Sequence, residues 1–146
     1  MNLCTLVYIS EAATPFTVPQ LDELVAHSHQ RNASRGISGL LLYSSGNFMQ
    51  VLEGDELILD SLYSKIESDP RHTNVRRLLF KAAQRRMFPD WGMNLGITER
   101  TVAIDRESVD TVMLRLRLVR DNTEQVETEA LSLLQEFRRQ LMKQAA

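Results

Sequence analysis

The 146-residue chain contains a single cysteine, Cys4. No disulfide can close within one chain, and a reducing, cytoplasmic setting is expected. Long apolar runs are also missing: none approaches the roughly 18 residues that span a bilayer. The start, "MNLCTLVYIS", lacks the basic segment and apolar core of a secretory signal. Neither sign of charge is in excess. A net charge of −2 gives no electrostatic reason to invoke nucleic acid or an anionic membrane. Of the three histidines, His27 and His29 are two apart on a predicted helix and His72 is remote, so no zinc spacing arises. There is no glycine-rich phosphate loop of the Walker or dinucleotide type. Ser10 and Ser38 stand in no motif of an activated nucleophile. Glu53 and Asp55 read as the end of a strand and the cap of the next helix. Conventional substrate turnover is therefore not expected.

The chain does have enough apolar residues, 43%, against 25% charged, to build one packed core. "LCTLVYIS" (3–10) reads as a strand. Pro19 marks a helix start, and Leu21, Leu24, Val25 and Ser28 recur at helical spacing over 18–32. "ISGLLLYSSGNFMQVLEG" (37–54) is a hairpin turning around 44–46, its first arm apolar enough to be covered on both sides. A second helix is expected over 56–67, ended by Asp69–Pro70. Strands follow over 74–84 and 92–97. The order β-α-β-β-α-β, plus a last strand, predicts an α+β, ferredoxin-like sheet with two helices on one face. From residue 98 glycine and proline vanish. "DRESVDTVMLRLRLVRDN" and "TEQVETEALSLLQEFRRQLMK" then predict a C-terminal helical tail over 98–146, which would pack on the free sheet face or serve as an oligomerisation or output surface. A homo-oligomer is expected on that basis.

Polar residues stand out where apolar ones would pack better. In "NFMQVLEG", Gln50 shares a strand face with Phe48 and Leu52. Tyr8 lies on the first strand, the expected central neighbour of the third. Ser28 and Asn32 are i and i+4 on one helix face, in the stripe of Leu21 and Val25. Taken singly, each is explained by pairing with nearby backbone. Together they suggest a planar polar ligand between sheet and helices.

In order along the chain, "LVYIS", "NASRGISGLLLY", "FMQVLEG", "ESDPRH" and "MFPDWGM" resemble the BLUF domains, blue-light sensors that use flavin. The resemblance covers residues 1–97, the expected flavin-binding domain, and implies the same ferredoxin-like fold. It implies FAD as cofactor, with FMN and riboflavin as alternatives. It implies that Asn32 bonds the pyrimidine edge of the ring and that Gln50 bridges Tyr8 and the ring's N5/O4 edge. Ser28 would support these contacts, and Lys65, Asp69, Arg71 and His72 would meet the ring edge or the ribityl phosphate. Residue 31, Arg here, departs from the Asn or His of some members. Tyr8 would give up an electron and a proton in light and leave Gln50 rotated or tautomerised. Trp91 and Met93 would relay the change. With too few residues for a cyclase or phosphodiesterase, the signal would leave through the tail to an unknown downstream protein. Two rivals are an acylphosphatase-like hydrolase, whose arginine-bearing anion loop "EAATPFTVP" does not supply, and a light-independent ligand-binding or dimerisation module on the same fold.

Overall fold

A computed structural model describes residues 2–44, 46–87 and 94–97, together with Thr128 and Ser132. The chain divides into two units, Met1–Gly96 and Ile97–Ala146, and the fold below is that of the first. Its elements are β1 (Leu3–Ala12), α1 (Val18–Ala33), β2 (Ser38–Ser44), β3 (Asn47–Asp55), α2 (Glu56–Glu67), β4 (His72–Ala82) and β5 (Asn94–Ile97). They form one sheet in the order β4-β1-β3-β2-β5. The expected ferredoxin-like order of elements is present. Trp91, Met93 and the tail helices expected over 105–122 and 123–143 lie outside the described residues, save Thr128 and Ser132, which are helical.

Local chemistry sets the boundaries. Thr17 caps α1 with a reciprocal pair: its side chain accepts from the Gln20 amide, and the Gln20 side chain accepts from the Thr17 amide at 2.8 Å. Proline occupies the first turn, where its missing N–H costs nothing. Asp55 caps α2 by accepting from the Leu57 amide at 3.2 Å. β4 starts two residues earlier than expected because Asp69 shapes the turn before it. The Asp69 carboxylate accepts from the Arg71 amide at 2.9 Å and its carbonyl from the His72 amide at 3.1 Å. β1 correspondingly extends to Ala12, which pairs with His72.

The central strands are buried on both faces. Leu6, Tyr8 and Ser10 of β1 are at most 2% exposed, and so are Val7 and Ile9 on the opposite face. Leu40, Leu42, Met49 and Val51 are fully buried. β1 and β3 pair antiparallel from Leu3↔Asp55 to Glu11↔Asn47, which sets Tyr8 directly opposite Gln50. β2 sets Leu41 against the other side of Gln50. One row, Tyr8–Gln50–Leu41, thus crosses the middle of the sheet.

Glu53 does not cap a helix. It lies within β3, 1% exposed, and accepts from the Ser38 hydroxyl at 3.5 Å and the Met87 amide at 2.5 Å. Arg86 closes the cluster by donating to Ser38 Oγ at 2.8 Å, the Glu53 carbonyl at 3.0 Å and the Gly36 carbonyl at 2.7 Å.

β2 approaches β3 so closely at Gly39 that a Cβ there would lie 2.0 Å from the Val51 carbonyl oxygen. That contact is with backbone, which cannot swing aside. Gly39→Ala should therefore destabilise the protein by at least about 3 kcal/mol, read as a lowered denaturant midpoint.

Candidate functional site: a polar cleft between the helices

The polar row meets the helices in a cleft lined by Tyr8 and Gln50 from the sheet, Ser28 and Asn32 from α1, and Lys65 and Ile66 from α2. Arg31, Asp69, Arg71 and His72 complete its rim and end wall. The buried stripe of α1 is Leu21, Ser28 and Asn32, so two of its three inward residues are polar. That composition stabilises helix packing poorly unless something polar lies opposite.

The residues singled out in the sequence converge here. The Tyr8 hydroxyl donates to Gln50 Oε1, both side chains being buried. This directs the Gln50 amide by way of its acceptor end. Burial pushes the Tyr8 phenol well above its ordinary pKa, with Tyr63 and Asp69 adding to the effect, so it stays protonated and remains a donor. The Tyr8 ring packs against Tyr63 at 6.0 Å between centroids.

Asn32 is 1% exposed, and its Oδ1 is a buried acceptor without a partner among the described residues. An unpaired buried carbonyl costs about 1–3 kcal/mol. It faces a cleft in which a ligand N–H would satisfy it. The group the resemblance calls for, a flavin, carries an imide N–H on its pyrimidine edge and acceptors along the neighbouring edge. The donor set therefore fits: an acceptor at Asn32, and an amide at Gln50. The cleft encloses about 80 Å³, less than most small-molecule sites. Admitting three fused rings means moving the exposed Arg31 and Lys65 side chains outward and parting α1 from α2.

At the end wall, Asp69 grips Arg71 through both Nε and Nη2, the latter at 2.6 Å. This pairing holds the Asp69 carboxyl below its usual range, with the Arg71 hydrogen bond the main cause. His72 Nδ1 lies 2.9 Å from Ser10 Oγ, and its ring meets Phe48 edge-on at 5.1 Å. Burial lowers the His72 pKa, partly countered by Asp69. Composition and spacing alone missed Ser10 and Tyr63. Ser10 could have been found by alternation, being two residues from Tyr8 on the same strand face; nothing in the sequence signals the contact with Tyr63. Among the described residues no group of three or more metal-ligating side chains occurs, and no helix is long and apolar enough to cross a membrane.

Comparison with known proteins identifies the cleft's setting. Residues 3–94 match the model of a family described as BLUF, sensors of blue-light using FAD. The chain is 39% identical over 99 residues to the photoactivated adenylate cyclase subunit beta of Euglena longa, covering 67% of this chain and 12% of that one. It is 37% identical over 93 residues to the blue light- and temperature-regulated antirepressor BluF of Escherichia coli (strain K12), covering 64% and 23%. Among solved structures, a bacterial light-regulated adenylyl cyclase superposes with a TM-score of 0.74 at 30% identity, over 80% of this chain and 35% of that one. The dark state of BlrB, a BLUF protein, superposes with a TM-score of 0.68 at 27% identity, over 92% and 97%. The chain thus spans only a small part of the curated relatives it matches.

Asn32→Leu removes the orphan carbonyl at similar volume. The flavin-free variant should melt no lower than the parent, while its flavin affinity falls about 10- to 100-fold, measured by fluorescence titration. His72 supplies a pH test. Its folded-state pKa lies below the ordinary 6.5, so the unfolded chain binds more protons as pH falls past that value. Stability should be fully present well above it and decline as pH falls through it toward the lower folded-state pKa, and His72→Gln should flatten that decline in thermal melts.

Proposed function

Because the chain belongs to the BLUF family of blue-light sensors, we propose that it senses light through the Tyr8–Gln50 pair. The observation that carries this reading is the buried phenol donating to a buried carboxamide in the middle of the sheet. Beside that pair lies the unpartnered Asn32 carbonyl. Asn32 would accept from the ring's imide N–H and fix its orientation. Ser28 would support that contact from one turn earlier on α1. Lys65, Asp69, Arg71 and His72 would border the ring and its side chain. A flavin bound there supplies blue-light absorption and, once excited, an acceptor for an electron and a proton.

Tyr8 is placed to serve as donor of both. Its proton sits on a hydrogen bond to Gln50 Oε1, so electron loss from the phenol and movement of that proton are coupled through the amide. Gln50 then has two arrangements of nearly equal volume. In one its oxygen accepts from Tyr8; in the other, rotated or tautomerised, it would turn a donor toward the ring's O4. Leucine could bridge neither way, and glutamate would bring a buried charge. That donor from Gln50 would polarise the carbonyl and move the absorption to the red.

The first 97 residues would be the light-sensing unit, and residues 98–146 a helical extension that passes the signal to a partner protein or to a second copy of the chain. Trp91 and Met93 would couple the two. FAD is the proposed flavin, and the cytoplasm the proposed setting. Substrate turnover is not part of this reading. The cyclase activity named for some relatives belongs to chains of which this one spans a small part.

Protein purified in the dark should be yellow, its visible band should move to longer wavelength under blue light, and the shift should reverse in darkness. Gln50→Leu should keep the flavin and lose the shift in the same absorption measurement. A normal, reversible shift in that variant would remove Gln50 from the mechanism.

A further inference from the structure

β4 does not run regularly past β1. Val7 pairs with Leu79 but Tyr8 pairs with Arg77, so Leu78 is one residue too many on the β4 side. Such a bulge re-aims the side chains around it. In a regular strand Arg77 and Phe80 would face opposite sides of the sheet. Here Arg77 pairs with Tyr8 and Phe80 with Leu6, and those two β1 residues share a face. The Arg77 guanidinium accordingly meets two rings, 5.4 Å from the centroid of Phe80 and 5.8 Å from that of Tyr63. Tyr63 packs in turn on Tyr8, 6.0 Å between centroids. A second phenol thus neighbours both the electron donor of the light reaction and a fixed cation.

We propose that Arg77 keeps the photochemical electron vacancy on Tyr8 by making Tyr63 a poor electron donor. The proposal rests on the flavin reading of the cleft. Two phenols in contact are chemically alike, so distance does not choose between them; the surrounding charge does. A guanidinium over a ring attracts its π electrons and repels the positive charge the ring would carry after losing one. Glu67, one turn further along α2, acts the other way. The same opposition is felt by the Tyr63 phenol as an acid: burial raises its pKa, Glu67 adds to the rise and Arg77 counters it. The step that Arg77 suppresses is a leak. In it Tyr63 gives one electron to oxidised Tyr8 and releases its phenolic proton to solvent. Tyr8, its own proton kept, is again a closed-shell phenol donating to Gln50 as before light. The electron stays on the bound flavin, which takes one proton from solvent, and the Gln50 rearrangement is lost.

Flavin-loaded full-length chain is illuminated and read in two ways: the quantum yield of the red-shifted absorption, and tyrosyl radical by electron paramagnetic resonance. Arg77 is exposed, so its replacement leaves the core intact. Arg77→Gln should lower the yield about two- to fivefold, the scale of an exposed cation–π contact, and bring out a long-lived tyrosyl radical. Arg77→Met, which keeps the packing of the stem, should do the same. Arg77→Lys keeps the charge and should match the unaltered chain. In a Tyr63→Phe background, Arg77→Gln should cost no further yield and give no radical. A normal yield without radical in Arg77→Gln would overturn the proposal and leave the Tyr8–Gln50 reading standing. An equal loss of yield in the Tyr63→Phe background would overturn it too, by reducing Arg77 to a packing role. Absence of any light response in the unaltered chain would overturn both readings.

Discussion

A single cross-strand pairing organises the molecule: Tyr8 opposite Gln50, phenol to carboxamide, in the dry centre of the sheet. Both side chains point toward the helices, and neither would be tolerated there unpaired. Their register is fixed by nine successive antiparallel pairs between β1 and β3. A slip of one residue would put both groups on the other face. The tight β2–β3 contact at Gly39 secures the far side of the same row. The sheet thus holds this phenol–carboxamide hydrogen bond at its buried middle.

The helices are less self-sufficient. α2 carries an apolar inward face, with Leu59, Leu62 and Tyr63 buried. α1 presents mainly polar groups inward, and one of them lacks a partner among the described residues. A helix so built gains packing from whatever occupies the cleft, and ligand binding stabilises the folded chain by mass action. Binding and folding are therefore linked most closely at α1.

Much of this was legible in the residues. Strand alternation exposed Gln50 and Tyr8 as polar groups on an apolar face, and the four-residue step on α1 paired Ser28 with Asn32. Helix limits followed from Pro19 and from the Asp69–Pro70 stop. Three features were not legible. The Ser10–His72 contact spans β1 and β4, whose register is offset by irregularities between Val7 and Tyr8 and between Ile9 and Glu11. Periodicity carries no trace of such offsets. The contact of Tyr8 with Tyr63 depends on how α2 is rotated. The Glu53 cluster joins segments 15 to 50 residues apart, which no local pattern announces.

That cluster has a mechanical consequence. Glu53 is three residues along β3 from Gln50, and its carboxylate, sealed from water, clamps the amide of Met87. Arg86 grips the chain just before and after β2 begins, at Gly36 and Ser38. A sideways or lengthwise displacement of β3 would therefore tow the peptide that follows β4. Motion at one end of the strand becomes a tug at the other, delivered through the hydrogen bonds that join Glu53, Arg86 and Met87.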